Sequence, residues 1–440
     1  MDPDRRMIQD GAVLMEGENI LAVGKSDQVK SDFNWKTLIN AHNKVVLPGF
    51  IDTHVHLSEH ICRSLIPDDA TDWMPNWLIP IYTNLTPEDE YYSSQLAFIE
   101  MIRTGTTTFC EAGTCLYPRT IAEGMREVGI RGILGSWTWD GPKSPDKFQQ
   151  TTDQAIKTNS DLIEFVKKLG DNRIQAWPLL VGMGTASDEL MIETKNLADQ
   201  HKLGMGFMHA SSIPSMESMD AIASLEHFAE LGILDQNVKI THMVYTDNDD
   251  LDLLKKFDVK ISHCPTAAMK HCKGISKYGR FPDMEARGIC VSLGADSANG
   301  SDHTNMLRII HLTAQIYKDS RMDYNVFPAE TVLELATLRG AEALLAQKDI
   351  GSIEVGKKAD LVFFDRDHPE WRPLLNPVNN LAYAVTDRSI DMVFISGKLV
   401  YNQGRVIGID EFEVYAKVEE LSRKVMDRAG INVNLKWPLV

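Results

Sequence analysis

Short apolar runs alternate with polar stretches of helical period through the middle of the chain. The runs are Phe50–His56, Thr106–Cys110, Gly132–Trp137, Ile174–Val181, Gly204–His209, Val238–His242, Val259–His263 and Cys290–Asp296. Each has the length and residue content of a buried strand. Amphipathic segments at 89–103, 119–129, 156–169, 188–201, 217–232 and 247–256 separate most of them. Eight strand–helix units in succession predict an α/β fold, a parallel (β/α)8 TIM-like barrel in preference to a doubly wound open sheet. The connection between the seventh and eighth runs carries the weakest helical pattern, and 330–346 reads as a further helix.

The ends of the chain have a different texture. Gly11–Met15 and Ile20–Gly24 read as a hairpin around Glu16-Gly17-Glu18-Asn19, and Val45–Pro48 leads into the first barrel run. Strand texture returns at 351–365 and again at 392–404, where two strands flank Ser396-Gly397-Lys398. The pattern predicts a small composite β-sandwich from 1–49 and 347–408, a catalytic barrel over 50–346, and a C-terminal segment 409–440 carrying a helix at 410–429.

Composition narrows the partners. The chain has 440 residues, 43% hydrophobic and 24% charged, with a net charge of −17. That sign disfavours nucleic acid and anionic membrane surfaces as partners and mainly helps solubility; it says little about the small-molecule substrate expected from the motifs below. Cys62, Cys110, Cys115, Cys264, Cys272 and Cys290 form no CxxC pair, so free thiols and a reducing cytoplasmic location are expected. The first residues lack the apolar core of a signal peptide.

Polar residues at the ends of apolar strands carry the candidate chemistry. His54 and His56 stand at alternate positions, so a strand aims both imidazoles to one side, as a shared metal ion requires. His209, His242, His263 and Asp296 end the fifth to eighth runs, where a parallel barrel collects its functional groups. Five histidines and a carboxylate at matching strand ends point to a metal site.

The motifs PGFIDTHVH (48–56), EMIRTGTTTF (100–109) and GSIEVGKKADLVFFD (351–365), with the His209, His242 and Asp296 strand ends, resemble the amidohydrolase superfamily. The branch is that of the S-adenosylhomocysteine, cytosine and guanine deaminases, the triazine hydrolases and the phenylurea hydrolases. The resemblance covers nearly the whole chain. It implies that His54, His56, His209 and Asp296 bind one divalent ion, Zn²⁺ ahead of Fe²⁺, which lowers the pKa of water. By the same resemblance Asp296 would double as the catalytic base, and His242 would be the catalytic residue that orients or polarises the substrate. The fourth run lacks the bridging lysine of binuclear relatives, which argues for one ion. Such proteins are often homodimers or larger.

Three departures shape the substrate reading. Ser212 stands where the resembled deaminases carry the glutamate that protonates the substrate ring, and Glu111 is a candidate substitute. His263-Cys264-Pro265 replaces a His-Asn-Pro pattern. The family also has one more strand ahead of position 1, implying a shortened β unit or a mis-set start. These losses, and the indoles Trp77, Trp137 and Trp139 near the strand ends, favour a largely apolar substrate: an aryl urea, amide or carbamate. His263 and His303 join Trp77, Glu111 and Trp137 as candidate substrate contacts. The alternatives are a deaminase or dechlorinase of nitrogen heterocycles, and an inactive barrel used for assembly.

Overall fold

The computed structural model describes residues 2, 4–68, 70, 73–141, 144–182, 184–210, 224–433 and 437. Eight parallel strands form the barrel: Phe50–His56, Thr106–Glu111, Arg131–Leu134, a split fourth, Met205–His209, Val238–His242, Lys260–His263 and a split eighth. The fourth strand breaks into Ile174–Ala176 and Leu179–Gly182. Pro178 lies in the break, and having no amide hydrogen it cannot continue a central ladder. The first half pairs with the third strand and the second half with the fifth.

The eighth strand is split for a different reason. Val291–Leu293 pairs with the seventh strand, and Asp296–Ser297 pairs with the first. Between them, a Cβ on Gly294 would lie 2.9 Å from the Cβ of His54, so only glycine lets the chain pass this close behind that ring. The step carries Asp296 into register with Val55, one residue from each histidine.

Helices pack around the strands with local signals that explain their starts. Thr86 with Asp89, Thr151 with Gln154 and Asp247 with Asp250 form reciprocal capping boxes. The weak connection between strands seven and eight resolves into three short helices, Pro265–Lys270, Ile275–Tyr278 and Phe281–Ala286. Of the expected helix 217–232, Leu225–Glu230 is helical, and 217–223 falls outside the described residues. The expected helix 330–346 is two, Ala329–Leu335 and Leu338–Ala343. They part at Ala336, whose carbonyl accepts the Ile51 amide at 2.9 Å and so serves the first barrel strand rather than a helix. Met306–Arg321, not anticipated as a helix, follows the eighth strand.

Both chain ends build the small β unit. A five-stranded antiparallel sheet joins Lys44–Pro48 to Leu361–Asp365, Ile390–Ile395, Lys398–Asn402 and Arg405–Val406. The hairpin Gly11–Glu16/Asn19–Lys25 forms its own two-stranded sheet. Val13 and Met15 of the hairpin pack against Leu361, Phe363, Met392 and Phe394 of the larger sheet. Arg131, at the start of the third barrel strand, pairs with Asp360 at 3.0 Å and ties barrel to sheet. The C-terminal helix Glu411–Ala429 lies along the helix Pro87–Arg103. All six cysteines are free, five of them buried. Among the described residues, no helix is long and apolar enough to cross a membrane.

Candidate active site

The first and eighth strands bring three potential ligands together. Metal-binding atoms of His54, His56 and Asp296 all lie within 4.8 Å of one another. Asp296 Oδ1 stands 3.3 Å from His56 Nε2 and 3.9 Å from His54 Nε2, while Oδ2 stands 3.9 Å from His242 Nε2. Two of these residues hold left-handed backbone, Asp296 at φ +67° and His242 at +76°. Non-glycine residues persist there only when their surroundings enforce it, and such strain concentrates at functional sites.

Neighbouring hydroxyls orient both rings. His56 Nδ1 lies 3.0 Å from Thr114 Oγ1, and Thr114 donates its hydroxyl proton to Glu111 at 2.6 Å. The Thr114 oxygen can therefore only accept from His56, leaving Nε2 as the ring's outward atom. His54 Nδ1 lies 3.2 Å from Thr241 Oγ1, and its Nε2 is buried without a hydrogen-bond partner among the described residues. A buried imidazole nitrogen left unpaired beside a second imidazole and a carboxylate fits a divalent transition metal.

Electrostatics reinforce the arrangement. Burial alone would raise the Asp296 pKa, but His56, His242 and His54 outweigh it and hold the carboxyl well below its usual range. Burial opposes a charge on His56, yet Glu59, Asp296 and Glu111 together lift its pKa to about 9. Burial and nearby Lys273 bring His242 down to about 3, so this ring is neutral.

The expected residues separate into those that meet here and those that do not. His54, His56, His242 and Asp296 meet. His209 pairs in register with His242, but its ring lies edge-on to Phe228 with centroids 5.3 Å apart, outside the group of close ligand atoms. Glu111 is wholly buried behind His56, and its oxygens accept from Gly113 N, Thr114 N and Thr114 Oγ1. His263 also lies apart from the ligand group. Its ring stacks on Phe281 at 3.6 Å and its Nε2 meets Tyr317 OH at 3.0 Å, because strand alternation turns it away from the barrel interior. His303 accepts the Asn305 amide at 3.2 Å and so organises the entry to the helix Met306–Arg321. Ser212 falls outside the described residues.

The aromatic expectation takes a definite shape. Trp137 packs between Trp139, Tyr82 and Phe148, with ring centroids 4.4, 4.7 and 4.7 Å away. Val181 and Met208, near the ends of strands four and five, join this cluster, and Trp77 packs on it half-buried. Trp77 itself lies within a helical segment, 73–80. The indole N–H groups of Trp137 and Trp139 are buried and find no acceptor among the described residues.

Sequence reasoning missed four polar groups. Thr114 and Thr241 gave no motif signal. Glu59, held by Tyr82 at 2.9 Å and Asn299 at 3.2 Å, approaches His56 Nδ1 to 3.6 Å. Cys264 places its sulfur within 4.8 Å of ligand atoms of His242 and Asp296. Its signal was the period-two alternation of Ser262, His263 and Cys264.

Comparison with known proteins bears on what this arrangement does. The model of the amidohydrolase family matches residues 45–400. A 5-methylthioadenosine/S-adenosylhomocysteine deaminase of Syntrophobacter fumaroxidans is 30% identical, covering 97% of this chain and 96% of its own. A 5'-deoxyadenosine deaminase of Methanobrevibacter smithii is 29% identical over 93% and 94% of the two chains. Among solved structures, a zinc-bound adenosine deaminase from Xanthomonas campestris superposes with TM-score 0.87 at 24% identity, covering 96% of this chain and 94% of its own. The atrazine chlorohydrolase of Arthrobacter aurescens, complexed with zinc, gives TM-score 0.84 at 19% identity, with coverage of 96% and 97%.

Proposed function

The chain belongs to the amidohydrolase family, and on that premise we propose that it is a deaminase of a nitrogen heterocycle, its preferred class being 6-aminopurine nucleosides. At the coarser level it is a metal-dependent hydrolase of carbon–nitrogen bonds other than peptide bonds. The observation that carries the finer reading is the end-to-end similarity to curated deaminases of adenine nucleosides. The aryl urea, amide or carbamate reading drawn from sequence finds no support among those relatives. It leaned on the absence of one acidic side chain at Ser212 and on indoles that equally suit a flat heterocycle.

His54, His56 and Asp296 would hold a divalent ion, with zinc the favoured identity. When bound, such an ion supplies Lewis acidity and lowers the pKa of water toward neutrality. The chain's own groups do the rest. Asp296, held ionised against burial chiefly by the hydrogen bond from His56, accepts the proton that water loses and returns it to the departing amine. Neutral His242 faces Asp296 Oδ2 and supplies a hydrogen-bonding partner to the attacked centre. Thr114 and Glu111 act through His56, fixing its ring rather than touching substrate. The cluster around Trp137 and Trp139, joined by Val181 and Met208 near the strand ends, supplies an apolar wall that suits a flat heterocycle.

The test is a substrate panel run with zinc-loaded protein. Ammonia released from adenosine, 5'-deoxyadenosine or methylthioadenosine, with no arylamine from phenylureas, is the expected outcome. Arylamine release without ammonia would restore the urea reading.

A further inference from the structure

We propose that this chain carries a second, inhibitory cation position built from His242, Cys264 and the Asp296 carboxylate, selective for thiophilic divalent ions. The seventh strand makes it available. Ser262 reaches Thr53 in the barrel interior at 2.7 Å, His263 points outward to Phe281 and Tyr317, and alternation returns Cys264 inward. There its sulfur, the His242 ring and an Asp296 oxygen lie within 4.8 Å of one another. The thiol is buried and sits 3.0 Å from where a Gly294 Cβ would stand, so the glycine leaves it room beside His54.

This group is distinct from the pair His54/His56 yet shares Asp296 with it. The carboxylate presents Oδ1 to His56 and His54 and Oδ2 to His242. One carboxylate can bridge two ions a few ångströms apart, ~3.5–4 Å in two-metal sites. Ligand atoms around a tetrahedral zinc stand ~3.3–3.7 Å apart, given bonds of ~2.0–2.3 Å, so the group needs only a modest contraction. A sulfur ligand selects Zn²⁺, Co²⁺ or Cd²⁺ and discriminates against Mg²⁺ and Ca²⁺. Occupancy engages the Asp296 oxygen and the His242 nitrogen on which the proposed deamination depends, so the second ion stops turnover. Cys264 itself has no part in that reaction. The inference rests on the proposed first ion at His54 and His56.

The experiment titrates metal-free protein with Co²⁺, counting bound metal by mass spectrometry and recording the near-ultraviolet thiolate-to-cobalt charge-transfer band. Two ions per chain are expected, the second weaker and accompanied by the band. Cys264→Ser is expected to bind one ion without the band and to need at least tenfold more Zn²⁺ or Co²⁺ for inhibition. One ion per chain, a second ion without a thiolate band, or a band that survives in Cys264→Ser would overturn the second position while leaving the first intact. Failure to bind any ion would overturn the proposed function with it. Should Cys264→Ser fail to fold, the band and the stoichiometry of the unaltered protein decide alone.

Discussion

His56 gives its Nδ1 proton to Thr114, 3.0 Å away, and Thr114 gives its own to Glu111. This chain of donors points the other ring nitrogen at Asp296. Thr114→Val removes the acceptor and frees the ring to turn. We expect metal affinity to fall ~10–100-fold, the usual effect of losing a group that orients a ligand, with Thr114→Ser restoring it. Competition with a chelator of known affinity reads the change.

Asp296→Asn keeps the shape and one oxygen but cannot hold a proton as a carboxylate does. Asparagine tolerates the left-handed backbone found here at φ +67°, so the variant should fold. Turnover should drop at least ~10²–10⁴-fold, the range expected for a lost general base. Retained kcat would remove Asp296 from the proton-transfer role.

Gly294→Ala tests the close passage behind His54. Its new methyl would lie 2.9 Å from the His54 Cβ and 2.9 Å from Ser262 Oγ. Overpacking of this kind costs ~1–3 kcal/mol, visible as a lower denaturation midpoint. Metal affinity should fall with it, because the displaced group is the first-strand histidine. Unchanged values for both would show that the strand gap is slack.

A pH dependence follows from Glu100. Burial opposes its ionisation, but His60 and Arg63 overcome this and lower its pKa to about 2. A carboxyl whose folded pKa is depressed stabilises the fold above its unfolded value of 4.5, and that contribution disappears as pH falls toward 2. The shift corresponds to about 3 kcal/mol at most. Urea midpoints measured between pH 6 and pH 3 should fall less steeply in Glu100→Gln than in the unaltered protein. Parallel slopes would contradict the assignment.

The barrel was legible because its strands are continuous apolar runs that pack on both faces and its helices carry a strong 3.6-residue period. The fourth strand was read as one because Pro178 sits inside an apolar run that hides the break. The helix Met306–Arg321 escaped notice because its N-cap, Asn305, follows a polar loop with no apolar lead-in. At the site, His54, His56, His242 and Asp296 were readable as polar ends to apolar strands. His263 looked equivalent, and only the direction of each side chain separates it from Cys264. The hydroxyl and carboxylate groups that orient His56 were invisible for a similar reason: Thr114 sits on a loop and Glu59 on the 3-10 turn Leu57–Cys62, and tertiary packing decides how each approaches the ring.

Crystals grown with zinc and measured on both sides of the zinc absorption edge test the central claim most directly. An anomalous peak is expected within ~2.0–2.2 Å of His54 Nε2, His56 Nε2 and an Asp296 oxygen. Zinc-loaded crystals with no anomalous density between those three side chains would contradict it.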